Sequence, residues 1–267
     1  VNEHAERSAS HDAGHGGAAF RTIARAYDLL VNEEKRWANE RDALAAWLDQ
    51  AGARARRVLD LGCGTGFHAR HCAAHLDAQV TASDPALEML EVARRKPHGD
   101  RVHWEIGTAE APPPGQYDLI VLLGNTMSLI PETDAVFEAA ARVAAPNALL
   151  VIQTLDYDAL RRRGEQIVER SGSGISISKR LRPLTTDPPA AAELTLRIRD
   201  ADGHTIAIQE EKLLDHASYD LEQNGARHGW SLIERRRSYR DPNSGDDRIL
   251  VFRFEGERTA GEPSSVA

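Results

Sequence analysis

The stretch Val58-Leu59-Asp60-Leu61-Gly62-Cys63-Gly64-Thr65-Gly66 constrains the fold of this chain more than any other. It reads as a short buried strand, a glycine-rich turn and the start of a helix that runs from Phe67 to about His75. Glycines at alternate positions remove side chains where a ligand approaches the backbone. The helix that follows offers that ligand free N–H groups and a positive dipole end. Turns of this kind bind nucleotides outside the carboxyl ends of open α/β sheets. The spacing is G-x-G-x-G, not the G-x-G-x-x-G of dinucleotide folds. Asp60 stands two residues before the first glycine, where a pyrophosphate gains nothing from it. A carboxylate there suits a ligand with an ammonium group.

The rest of the chain alternates around this turn. After the strand Arg57 to Leu61, further strands are expected at Gln79 to Ser83, Val102 to Ile106, Tyr117 to Leu123 and Ala148 to Gln153. Helices from about Pro85 to Lys96 and Glu132 to Val143 lie between them. The fourth strand is nearly all apolar, as the middle of a parallel sheet requires. This alternation predicts an α/β fold with a doubly wound sheet. Two amphipathic helices precede it, Phe20 to Leu30 and about Glu33 to Ala51, the second ended by Gly52. After residue 153 the rhythm changes. Ile175 to Leu181, Glu193 to Arg199 and Thr205 to Leu214 read as strands of an antiparallel insertion, with a hairpin turn at Asp200-Ala201-Asp202-Gly203. A helix from Ser218 to His228 leads into a closing hairpin, Ser231 to Tyr239 and Arg248 to Phe254, on the sheet edge.

The expected organisation is a disordered tail over 1–17, a core over 18–160, an insertion over 161–215, a completing segment over 216–255 and a second tail over 256–267. The net charge of −8 argues against a nucleic-acid partner, because the arginine clusters at 161–163 and 235–237 sit among acids. No run of about 20 apolar residues marks a membrane span. Nothing at the N-terminus reads as a signal segment, and Cys63 and Cys72 suggest no disulfide, so a reducing cytoplasm is the expected location. His68, His71 and His75 are spaced like zinc ligands on one helix face, but no Glu completes an H-E-x-x-H arrangement, and no metal is expected.

Asp84 ends the second strand, where a carboxylate can accept both hydroxyls of a ribose lying across the glycine turn. With the turn itself, this resembles the class I S-adenosylmethionine (SAM) dependent methyltransferases, over residues 20–160 and the terminal hairpin. Three shorter motifs are similar to the glycine N-methyltransferase group and related bacterial small-molecule enzymes: Tyr27-Asp28, Gly124-Asn125-Thr126 and Asp156-Tyr157-Asp158. The resemblance implies a seven-stranded Rossmann-like sheet with the antiparallel insertion after its fifth strand.

It also implies a site. Asp60, Gly62, Gly64 and Gly66 would hold the methionine end of SAM, Asp84 the ribose, and Met89 the adenine face. Thr108 and Ala109 would border the adenine edge, where many relatives carry an Asp. Leu123 and Asn125 would line the sulfonium. Tyr27 and Arg36 would fold over the cofactor, with Arg36 paired to its carboxylate. Where the glycine enzymes carry an Arg that grips the substrate carboxylate, this chain has Leu155, so glycine is not the substrate the resemblance implies.

SAM already carries a reactive methyl, so the protein mainly positions the acceptor. Tyr27, Asp156 and Tyr157 are the candidates for that task, and an amine is the favoured acceptor. A hydroxyl acceptor more often needs a general base, for which His216 is the proposed group. A SAM- or nucleoside-binding module without catalysis and an NAD-linked oxidoreductase are the competing readings. The partner is a small molecule. Exposed insertion strands can also pair between subunits, so a homodimer is one expectation.

Overall fold

A computed structural model describes residues 22–52, 56–184 and 190–256. The expected tails over 1–17 and beyond Gly256, and the start of the first helix at Phe20, lie outside the described residues. Among the described residues, eleven strands form two sheets. The first contains β1 (Arg57–Leu61), β2 (Gln79–Asp84), β3 (Val102–Ile106), β4 (Tyr117–Leu122), β5 (Ala144–Leu155), β10 (Trp230–Arg236) and β11 (Asp247–Phe254). Their order is β10-β11-β5-β4-β1-β2-β3. β1 to β5 are parallel, while β11 runs antiparallel between β5 and β10. The sheet order reverses beside β1, so β1 and β4 open a crevice at their carboxyl ends.

The helices are α1 (residues 22–27), α2 (Glu33–Gln50), α3 (Phe67–His75), α4 (Leu87–Arg95), α5 (Thr133–Arg142), α6 (Tyr157–Arg163) and α7 (Ser218–Arg227). The central strands are buried on both faces, which is why their sequences are continuously apolar. On one face Val58, Val121 and Val151 pack with Leu44 and Trp47 of α2, Cys72 of α3 and Leu90 of α4. On the other, Leu59, Ile120 and Leu150 pack with Val136 and Phe137 of α5 and Leu221 of α7. α4 begins at Leu87, later than expected, because the Asp84 carboxylate takes the N–H of Ala86. No described helix is long and apolar enough to cross a membrane.

The insertion is a four-stranded antiparallel sheet of β6 (Gln166–Gly172), β7 (Ile175–Pro183), β8 (Ala190–Arg199) and β9 (Thr205–Leu214). β6 was not anticipated from the sequence. It is an edge strand whose Ile167 and Val168 are exposed, so no apolar alternation marks it. The inner face of the sheet holds Ile177, Leu196, Ile198 and Ala207 against Ile23 and Ala26 of α1, with Tyr27, Leu29 and Met89 alongside. Further along, Leu181, Ala192 and Leu213 pack on Tyr157 and Leu160 of α6. β9 also packs against the turn Thr126–Leu129 that follows β4. The insertion therefore lies over the carboxyl ends of the sheet and clamps α1 beneath it.

Candidate active site

The three glycines of the turn have left-handed φ angles of 68°, 54° and 74°, but they are glycine for different reasons. A Cβ on Gly62 would collide with the Thr126 side chain, from the turn after β4. One on Gly66 would enter the Trp104 ring and come within 2.9 Å of Ala93 Cβ. At Gly64 a Cβ would meet no atom within 4 Å. The three glycines therefore answer to different neighbours, two of them within the protein itself. Gly62 and Gly66 let parts of the protein approach one another, and only Gly64 borders open space. The turn is fastened to β2, with the N–H groups of Gly62 and Cys63 donating to the Ser83 carbonyl at 2.8 and 3.0 Å.

Asp84 is held by two backbone donors. Gly64 N–H donates to Oδ2 at 2.8 Å and Ala86 N–H to Oδ1 at 2.9 Å. Burial pushes its carboxyl up, against the pull of these bonds. Each oxygen retains a lone pair. Ile106 is the sheet partner of Asp84 and shares its face, yet it is 63% exposed. Leu87 is 43% exposed on the first turn of α4. The sequence reading missed both. Their only signal is an apolar residue at the carboxyl end of a strand or the start of a helix, which is also what a core position looks like. Met89 is half-buried against Tyr27 and Leu29. Thr108 is exposed, its carbonyl accepting from Ala111 N–H at 3.2 Å, while the Ala109 side chain is buried in the core.

Asp60 is fully buried below the turn, and Ala69 N–H donates to its Oδ2 at 3.1 Å. Burial raises its carboxyl to about 6 from 3.8, although the nearby His68 opposes this. Between these values the folded protein keeps a proton that the unfolded chain has released, so Asp60 reduces stability as pH rises through that window. Asp60→Asn is therefore expected to raise the melting temperature of the ligand-free protein at about pH 8 and to weaken binding of a cationic ligand. Thermal melts with and without SAM check both. A lower ligand-free melting temperature would show that the bond from Ala69 outweighs the burial cost.

The turn after β4 is built around Asn125, at φ 73°. Its Oδ1 accepts from Leu155 N–H and Ser128 Oγ, both at 3.0 Å, and its Nδ2 donates to Tyr157 Oη at 3.1 Å. Gln153 braces the same turn, accepting from Gly124 N–H at 2.7 Å and donating to Asp247 at 2.9 Å. Leu123 is buried beside this turn. Tyr157 is fully buried and committed to Asn125. Asp156 caps α6 through Ala159 N–H at 3.0 Å and pairs with Arg237 at 3.0 Å. Both side chains expected to meet an acceptor are engaged in supporting the ends of β4 and β5. His216 Nε2 donates to the Ile130 carbonyl at 2.9 Å, and burial lowers its basicity.

Tyr27 precedes a short strap, Asp28–Leu30, that is latched to the glycine turn. Thr65 Oγ1 donates to Asp28 at 2.8 Å, and Lys96 Nζ contacts Asp28 at 2.5 Å and Glu33 at 3.4 Å. The buried Arg70 pairs with Glu33 at 2.6 Å. The hydrogen bond from His71 holds Glu33 down at about 2 against burial, with help from Arg70 and Lys96. Its stabilisation is present above its usual value of 4.5 and is lost as pH falls toward 2. The helix histidines thus go to separate partners, His68 to Glu40 and His71 to Glu33, while His75 stacks on His71 with centroids 5.6 Å apart. Arg36, from α2, reaches between the two turns. A Cβ on Gly124 would lie 4.0 Å from its Nη2, and its guanidinium sits 4.6 Å over the Phe67 ring.

A sheet in this order, a glycine turn after β1 and an acid ending β2 together define the fold of the class I SAM-dependent methyltransferases. Residues 58–147 match the family model described as methyltransferase domain. The chain is 36% identical over 122 residues to a ubiquinone biosynthesis O-methyltransferase of Xanthomonas oryzae, covering 43% of this chain and 48% of the relative. It thus spans about half the length of the curated relatives it matches. An S-adenosylmethionine-dependent methyltransferase from Clostridium acetobutylicum shares the fold with a TM-score of 0.69 at 15% identity, over 89% of this chain and 99% of that one. The sugar N-methyltransferase KedS8 from Streptoalloteichus does so with a TM-score of 0.69 at 19% identity, over 87% and 93%. The segment around the glycine turn is thus similar in sequence to a methyltransferase domain, and the chain shares the fold of such enzymes.

Proposed function

We propose that this chain binds SAM across the glycine turn and directs its methyl group to the nitrogen of a small-molecule amine. The observation that carries the reading is Asp84, held by two backbone N–H groups beside the open space over Gly64. A carboxylate so fixed keeps one lone pair per oxygen for the two ribose hydroxyls, and a Cβ at the adjacent Gly64 would meet no described atom within 4 Å. Ile106, Leu87 and Met89 supply apolar surface for the adenine, bordered by the backbone at Thr108 and Ala109. Asp60 opposes the ammonium charge from below, Arg36 takes the carboxylate, and Leu123 and Asn125 flank the sulfonium. When bound, SAM supplies an activated methyl group.

The protein's part is then placement. Tyr27 closes the strap over the site, and Asn125, Asp156 and Tyr157 fix the shape of the acceptor wall. Nitrogen is favoured because the described polar groups at the β4 and β5 ends, His216 among them, are already engaged. A neutral amine needs no base to be nucleophilic, whereas a hydroxyl more often does. The sugar N-methyltransferase shares this architecture over most of its length, and the motifs at Tyr27, Asn125 and Asp156 support kinship with the glycine N-methyltransferase group. The curated relatives named for O-methylation favour oxygen as the second reading. Edge strand β9, with Ile206 and Ile208 exposed, is where a second copy would pair.

Calorimetric titration with SAM, S-adenosylhomocysteine and NAD tests the cofactor. SAM and S-adenosylhomocysteine are expected to bind, and NAD binding without them would overturn the reading. Methyl transfer to matched amine and alcohol acceptors, such as an amino sugar and its hydroxyl counterpart, tests the atom. Transfer to the alcohol alone would assign oxygen.

A further inference from the structure

We propose that Glu40 and His68 are positioning residues that hold Arg36 in place for the carboxylate of the cofactor, an inference that rests on the SAM reading above. Arg36 Nε donates to Glu40 Oε1 at 2.8 Å. His68 Nε2 donates to the other oxygen of Glu40 at 2.8 Å, so its 3.2 Å approach to Arg36 Nη2 is packing and not a second hydrogen bond. Glu40 is 5% and His68 6% exposed, so this is a buried cluster and not a solvated ion pair. Burial works against the Glu40 charge, yet the His68 hydrogen bond and the Arg36 guanidinium keep its carboxyl below the usual range.

The cluster joins elements far apart in the chain. Glu40 and Arg36 stand one turn apart on α2, and His68 is the second residue of the helix that follows the glycine turn. Together they fix the guanidinium over Phe67 and beside Gly124. Arg36 Nη1 makes no hydrogen bond among the described residues, so its two N–H groups remain to offer. Because His68 shares Glu40, the carboxylate does not neutralise Arg36 alone. A long arginine side chain loses considerable rotamer freedom when ordered. Ordering it before the ligand arrives removes that cost from binding. This also gives a task to His68, whose spacing in the sequence resembles a metal site.

The test compares two ligands that differ in the amino-acid end. S-adenosylhomocysteine carries it and 5′-methylthioadenosine lacks it. Glu40→Gln and His68→Asn are each expected to weaken S-adenosylhomocysteine by about tenfold and to leave methylthioadenosine unchanged. In an Arg36→Ala background neither substitution should add to the loss, since both act through Arg36. Circular dichroism and melting curves establish that each variant is folded. Equal weakening of both ligands would show a role in the fold alone and overturn the proposal, as would unchanged affinity for both. If the unmodified protein binds neither ligand, the SAM reading itself fails. If it binds both and only the variants behave otherwise than expected, the failure is that of the positioning role.

Discussion

Replacing Asp84 with alanine is expected to lower SAM affinity by about 10- to 100-fold, the loss of two charge-assisted hydrogen bonds worth about 1–3 kcal/mol. The structure adds a second consequence. The N–H groups of Gly64 and Ala86 both end on this carboxylate, so its removal leaves them without their partner. The glycine turn should loosen, and the ligand-free melting temperature should fall as well. Asp84→Asn separates the two effects. Its amide oxygen can still take one backbone N–H, but its NH2 faces the other donor. Calorimetry with S-adenosylhomocysteine and with 5′-methylthioadenosine should show equal losses for Asp84→Ala, because both ligands contain the ribose. A loss confined to S-adenosylhomocysteine would remove Asp84 from the ribose and place it at the amino-acid end.

Gly66→Ala is expected to destabilise the fold by about 2–5 kcal/mol, combining overpacking with a left-handed backbone that a Cβ disfavours. The added methyl would enter the Trp104 ring, which cannot swing aside easily. Its indole N–H donates to the Gly99 carbonyl at 2.8 Å, and Ala93 closes the other flank. A melting temperature lower by about 10 °C is the anticipated size for a chain of this length. Gly64→Ala makes the contrast. It meets no protein atom within 4 Å and carries only the backbone cost, but it projects into the space assigned to the ligand. It should fold nearly as well as the parent and bind SAM far less. If Gly66→Ala melted like Gly64→Ala, the division of the turn into packing and binding glycines would be wrong.

These two positions mark the boundary between what the sequence discloses and what it conceals. The strands β1 to β4 and the helices between them were legible because each is specified by its own residues. Apolar runs, a glycine stop after α2 and helical spacing are local signals. Asp84 stood out as a candidate because the end of a strand beside a glycine turn is a position with few uses, and it does end β2 against the Gly64 N–H. β6 was not legible, since an exposed edge strand carries no burial pattern. Tyr157 looked like an acceptor contact in the motif Asp156-Tyr157-Asp158, yet the insertion buries it and Asn125 takes its hydroxyl.

The sequence by itself determined the class of fold, the glycine turn after β1 and the acid that ends β2 beside it. All of these follow from spacing within a few residues or from the alternation of strand and helix. The tertiary structure alone decided which glycines of the turn admit neighbouring side chains, that Ile106 stays exposed beside Asp84, and that Arg36 is tied to Glu40 and His68. The physical reason is the same in each case. Burial and hydrogen-bond satisfaction depend on groups brought together from distant parts of the chain. A Gly66 that must admit Trp104, or a Glu40 that must find His68, carries no mark of its partner until the chain has folded.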